Sequence, residues 1–133
     1  MRALERCALA LLALSAASVA VPALVSPHGF FDSFPLGGGW VRALPPYNAH
    51  LTTDVGALYL AFTVLFAWSA VTLRRALVVP VCVAWSVFAL VHLVFHATHA
   101  GGAPQLALQL VSLAGVLALG AAVAAVAVRE RGL

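Results

Sequence analysis

Four stretches of this chain are long, apolar and charge-free enough to cross a lipid bilayer. They cover residues 7–25, 55–73, 76–97 and 106–128, and none contains Asp, Glu, Lys or Arg. A membrane-spanning helix needs about 20 mainly apolar residues. Ser26-Pro27, Pro45-Pro46, Arg74-Arg75 and Gly101-Gly102 with Pro104 punctuate the chain between them. The composition agrees: 64% of residues are hydrophobic and 8% charged, where a soluble domain carries about a quarter charged residues. Four spans in 133 residues leave no room for a second domain of ordinary size. The expected fold is therefore all-α, a single integral membrane four-helix bundle over residues 1–133.

Every basic residue is an arginine, and their placement predicts the orientation. Arg2 and Arg6 precede the first span, Arg74 and Arg75 join the second to the third, and Arg129 and Arg131 follow the fourth. In a four-span topology these fall on one side and Arg42 alone on the other. The positive-inside rule makes the arginine side cytoplasmic. Both termini are then inside a cytoplasmic membrane, and the segments 26–54 and 98–105 are outside. Arg2 and Arg6 before an apolar core, with Ser18-Val19-Ala20 following, also fit a cleaved signal peptide. The apolar run continues unbroken through Val25, so a retained helix is the expected reading. The net charge of +3 rests on too few charges for a nucleic-acid surface. Cys7 and Cys82 lie toward the same inner side without metal-ribbon spacing and read as small apolar fillers.

Small residues govern helix approach in lipid, because apolar contact alone gains little there. Ala114, Ala118, Ala122 and Ala125, with Gly115 and Gly120, suggest that the fourth span packs closely on the alanine-rich first. The short Arg74-Arg75 connection makes the second and third spans an antiparallel hairpin. The connector 26–54 carries Phe30, Phe31, Phe34, Trp40 and Tyr47 among prolines and glycines. It is too apolar for a free loop and is expected at the outer interface, capping the bundle. Gly37-Gly38-Gly39 gives it a flexible point but no phosphate loop, since no GK[ST] follows. Asn48, Thr52 and Thr53 offer capping groups to the second span.

The chemistry concentrates at the outer end. All five histidines fall there, with Asp32 and Asp54. His92, His96 and His99 stand at i, i+4 and i+7, within about a 60° arc and about 10 Å of depth on one helix. His50 and Asp54 are likewise four apart at the head of the second span. The hairpin would bring His50 near His96 and His99, and Asp54 near His92 and His96. Gln105, Gln109 and Ser112 repeat the spacing on the fourth span and could hydrogen-bond those imidazoles from outside a ligand set.

Three readings fit these residues. Imidazole and carboxylate are ordinary ligands of zinc, iron or copper, and His50, Asp54, His92, His96 and His99 form the candidate metal- or ligand-binding site. Two facing histidines would also suit a haem. Histidine and aspartate chains in membranes equally mark proton relays, which implies a proton-coupled solute carrier or channel. In the third reading the chain is an accessory subunit without chemistry: His99 caps a helix C-terminus, and Asp54 stabilises a helix N-terminus. The bilayer is the first partner in every case. A protein this small is also suited to self-association or to a larger membrane complex.

The stretch PPYNAHLTTDVGALYLAF (residues 45–62), followed by HLVFHATH (residues 92–99), resembles small four-helix membrane proteins common in actinobacteria, similar to the broad DoxX-like group. The resemblance implies a four-span bundle and carries over no catalytic residue. Alanine-, valine- and arginine-rich composition without lysine also looks like a high-GC genome.

Overall fold

The computed structural model describes residues 2–99 and 106–129. Four long helices, α1 (Arg2–Val25), α3 (Ala49–Thr72), α4 (Arg75–His99) and α5 (Leu106–Arg129), are each apolar and long enough to span a membrane. A short helix, α2 (Pro27–Ser33), follows α1 directly. The protein is thus an all-α, multi-pass membrane protein in form. Exposed apolar side chains such as Leu11, Val64, Val87 and Val111 occur on all four long helices, as contact with lipid requires.

Local chemistry explains the helix ends. Asn48 caps α3: its side chain accepts from the Leu51 N–H at 3.0 Å, and the Thr52 hydroxyl donates to the Asn48 carbonyl at 2.9 Å. At the other end Leu73 adopts the left-handed conformation, φ 49°, and its N–H closes on the Ser69 carbonyl. That reversal leaves only two residues, Leu73 and Arg74, between α3 and α4. Pro27 opens α2, where a missing N–H is harmless.

The long helices form a closed ring in the order α1, α3, α4, α5, with no diagonal packing among the described residues. Two seams are tight and two are loose. In the α1–α3 seam, Gly56 lies so close to α1 that an added Cβ would stand 3.0 Å from the Ala23 Cβ and the Leu24 Cγ. In the α4–α5 seam, a Cβ at Gly120 would stand 2.7 Å from the Trp85 ring. The expected close packing of α5 on α1 is not what forms. Ala114, Ala118, Ala122 and Ala125 are exposed, and nothing lies within 4 Å of a Cβ built at Gly115. Close approach needs complementary surfaces rather than small residues alone. The α1 alanines find Gly56, and Gly120 receives an indole.

The hairpin partners α3 and α4 also touch less than either tight pair. Bulky rings fill the space between them. Tyr59, Phe62 and Phe66 meet Trp85 edge-on at centroid distances of 5.9, 5.2 and 5.4 Å. Rings of this size hold backbones apart while filling the core. The core also includes Leu9, Leu12, Ala16 and Ala20 of α1, so the Ser18–Ala20 stretch lies within a continuous, packed helix.

Candidate functional site

The end of the bundle that carries His92 and His96 is hollow. A cavity of about 550 Å³ is lined by all four long helices and by the connector between α1 and α3. The connector forms its roof: Phe30 is buried, and Phe34, Trp40, Val41 and Leu44 line the space. The roof is held by ring contacts, Phe30 on Phe34 at 4.6 Å and Phe34 on Trp40 at 6.5 Å. Below it, Val55 and Tyr59 come from α3, Trp85, His92 and His96 from α4, and Gln109 and Val116 from α5.

Two of the five expected ligands reach this cavity. The His92 and His96 rings meet edge to face at 4.7 Å, and Phe88 stacks on His92 at 5.6 Å. The His96 Nδ1 is buried and has no hydrogen-bond partner. Gln109, only 3% exposed, places its side chain beside the His96 ring. Ser112 also lines the cavity, and its hydroxyl donates to the Gln109 carbonyl at 2.8 Å. Gln105 lies outside the described residues.

The other three stand elsewhere. His50 and Asp54 do share a face and pair at 2.9 Å, but their side chains are 87% and 61% exposed. The face of α3 turned inward carries Thr52, Gly56 and Tyr59. At about 100° per residue, Asp54 lies about 200° around the helix from Thr52, so it points away from the bundle. His99 is exposed at the end of α4. Its ring stacks on Phe95 at 4.4 Å, and its Nδ1 lies 3.1 Å from the Phe95 carbonyl and 2.8 Å from the Thr98 hydroxyl. It serves the helix terminus, where unpaired carbonyls collect. Among the described residues no three His, Cys, Asp or Glu side chains come together as metal ligands would. The cavity offers two imidazoles, fewer than the three or four protein ligands that hold a zinc ion.

A second histidine–carboxylate pair was not foreseen in the sequence. His28 and Asp32 meet at 2.9 Å on α2, and Tyr47 lies edge-on to His28 at 4.9 Å. The i, i+4 spacing within HGFFD was the available signal. Both carboxylate pairs lie on the surface, so the cavity wall itself carries no fixed charge among the described residues.

What the cavity holds instead is a set of neutral hydrogen-bonding groups in an apolar frame. The hydroxyls of Ser18, Thr52 and Ser112 donate to carbonyls of their own helices. The Trp85 indole N–H donates to the Val116 carbonyl at 3.1 Å, fixing that ring across the α4–α5 seam. His92, His96, Gln109 and the Tyr59 hydroxyl are not spent on backbone carbonyls in this way. Compared with known protein families, curated proteins and solved structures, the chain matches none.

Proposed function

We propose that this protein binds a small, mostly apolar molecule in the cavity beneath the 26–48 connector. One observation carries the reading: a space of about 550 Å³ with aromatic and aliphatic walls converges on a few polar side chains, His92, His96, Gln109 and Tyr59. Ligand sites are commonly built this way, apolar for affinity with a few placed polar groups for orientation. The arginine distribution supports a cytoplasmic location for both termini, which puts the cavity at the outer face of the cytoplasmic membrane. A carboxy-terminal reporter that matures only in the cytoplasm checks that orientation: fluorescence is expected, and silence would reverse it.

The binding test uses 1-aminoanthracene, an apolar fluorophore that brightens out of water. Purified protein in lipid nanodiscs is expected to bind about one molecule per chain. Val55→Phe, which pushes a ring into the cavity, is expected to abolish that binding while the helical circular dichroism stays unchanged. Equal binding by both proteins would remove the cavity as a site.

A further inference from the structure

At the end of the bundle opposite His92 and His96, the loose seam between α1 and α5 opens into a second recess, of about 280 Å³. Leu4 and Ala8 of α1 and Leu119, Val123 and Val126 of α5 wall it, and among the described residues Glu5 is the one charged group in that wall. We propose that this recess is a phospholipid site. An acyl chain lies along the seam, the ammonium of an ethanolamine-type head meets Glu5, and the phosphate meets the arginines near the mouth. The depth of the recess fits a chain that enters from the helix ends. Leu4 is in the first turn of α1, and Leu119 lies ten residues before the end of α5 at Arg129. At 1.5 Å per residue the walls therefore reach about 15 Å inward. That is half of a hydrocarbon layer about 30 Å thick, the depth that one leaflet's chains occupy.

The charges then select the head group. With 24 residues α1 is about 36 Å long, more than the hydrocarbon thickness, so its end turns extend into the head-group region. Glu5 is half-buried there. Among the described residues it forms no ion pair; the two pairs present, His28–Asp32 and His50–Asp54, stand at the other end of the bundle. A carboxylate held against apolar walls without a partner is costly. A cation that arrives on its own hydrocarbon chain removes that cost. A simple cationic amphiphile would satisfy Glu5 but would also meet Arg2, exposed one turn before Glu5, and Arg129, exposed one turn beyond Val126. Arg6 is engaged elsewhere, its guanidinium donating to the Val71 carbonyl of α3 at 3.5 Å. A head that joins a primary ammonium to a phosphate answers both signs at once. It brings N–H donors to the carboxylate and phosphate oxygens to the guanidiniums.

The test is native mass spectrometry of the protein released from dodecyl maltoside micelles that hold an equimolar mixture of dioleoyl phosphatidylethanolamine, phosphatidylcholine and phosphatidylglycerol. The tails are identical, so retention reports the head group. Phosphatidylethanolamine is expected to be retained about tenfold over either competitor, the scale of one charge-assisted hydrogen bond. Phosphatidylcholine has no N–H on its ammonium, and phosphatidylglycerol has no cation. Glu5→Gln is expected to abolish that preference while one lipid still binds. Ala122→Phe, which pushes a ring into the recess, is expected to remove the bound lipid of every class. Helical circular dichroism shows that each variant folds, and the wild-type ranking decides the head group even where a variant misfolds. Equal retention of the three lipids, or a preference for phosphatidylglycerol, overturns the ethanolamine assignment. A preference that survives both Glu5→Gln and Ala122→Phe overturns the recess as the site.

Discussion

The two ends of this bundle are made of the same four helices and are packed in opposite ways. Toward the Arg74–Arg75 turn the core between α1, α3 and α4 is solid, with Leu9, Leu12, Phe66, Val78 and Cys82 all at 0% exposure. The smaller recess of about 280 Å³ is confined there to the loose α1–α5 seam beside Leu4, Ala8, Leu119 and Val123. Toward His92 and His96 the interior opens into the cavity. The solid half interlocks large rings with one another and with a small partner, Phe66 beside Trp85 and Trp85 against Gly120. In the hollow half α1, α3 and α5 contribute short or polar side chains, Ser15, Ser18, Thr52 and Ser112, and rings line the space both from the roof, Phe34 and Trp40, and from the helices, Tyr59, Trp85 and Phe95. Close packing in lipid depends on van der Waals fit. Where that fit is withheld among all four helices at once, the withheld volume is the part available to a ligand inside the bundle.

The sharpest way to break this contrast is to hollow the solid half. Phe66→Ala is expected to lower unfolding stability by about 3–5 kcal/mol, measured as a shift in a detergent-denaturant titration. An effect under about 1 kcal/mol would mean that the two halves are equally loose. Overfilling tests the tight seam next. Gly120→Leu must displace Trp85, and a loss of about 1–3 kcal/mol is expected, with a red shift of tryptophan emission as the indole leaves its site. Filling the hollow half should act differently: Val55→Phe is expected to change stability less than either substitution, by under about 1 kcal/mol, while abolishing fluorophore binding. A large stability loss with binding retained would invert the assignment of the two halves.

The smallest expected effect compares histidine pairs of identical spacing. His50 and Asp54 form an exposed pair, as do His28 and Asp32. Exposed ion pairs contribute about 0–1 kcal/mol. His50→Ala and Asp54→Asn should therefore alter stability by no more than about 0.5 kcal/mol and leave fluorophore binding in the cavity unchanged. Elemental analysis of chelator-free protein sharpens the same comparison. One zinc, iron or copper per chain that His50→Ala and His96→Ala each remove would join the His50–Asp54 pair and the cavity histidines into one site after all.

Much of this architecture is written in the sequence. The absence of charge over four runs of about 20 residues dictates four bilayer-length helices in any arrangement. Their ends were less legible. Helix α3 begins at Ala49, six residues before its apolar run starts at Val55, because Asn48 caps a polar first turn that hydropathy alone does not register as helix. The helical α2 inside the connector likewise follows from the proline at its start, Pro27, rather than from apolar periodicity. The placement of His92 and His96 on one face was readable from their spacing, and so was the shared face of His50 and Asp54.

What tertiary structure alone decided is the rotation and partnering of each helix. In water an apolar stripe marks the buried face of a helix. In lipid both faces are apolar, so α3 carries no such mark, and nothing local says whether Thr52 or Asp54 turns inward. That choice is made where Gly56 meets Ala23 and Leu24, a contact between residues far apart in the chain. It sends Asp54 and His50 to the surface and leaves the cavity to His92, His96 and Gln109. Charge-free length set the number of helices, and steric fit between distant small and large side chains set which groups share a site.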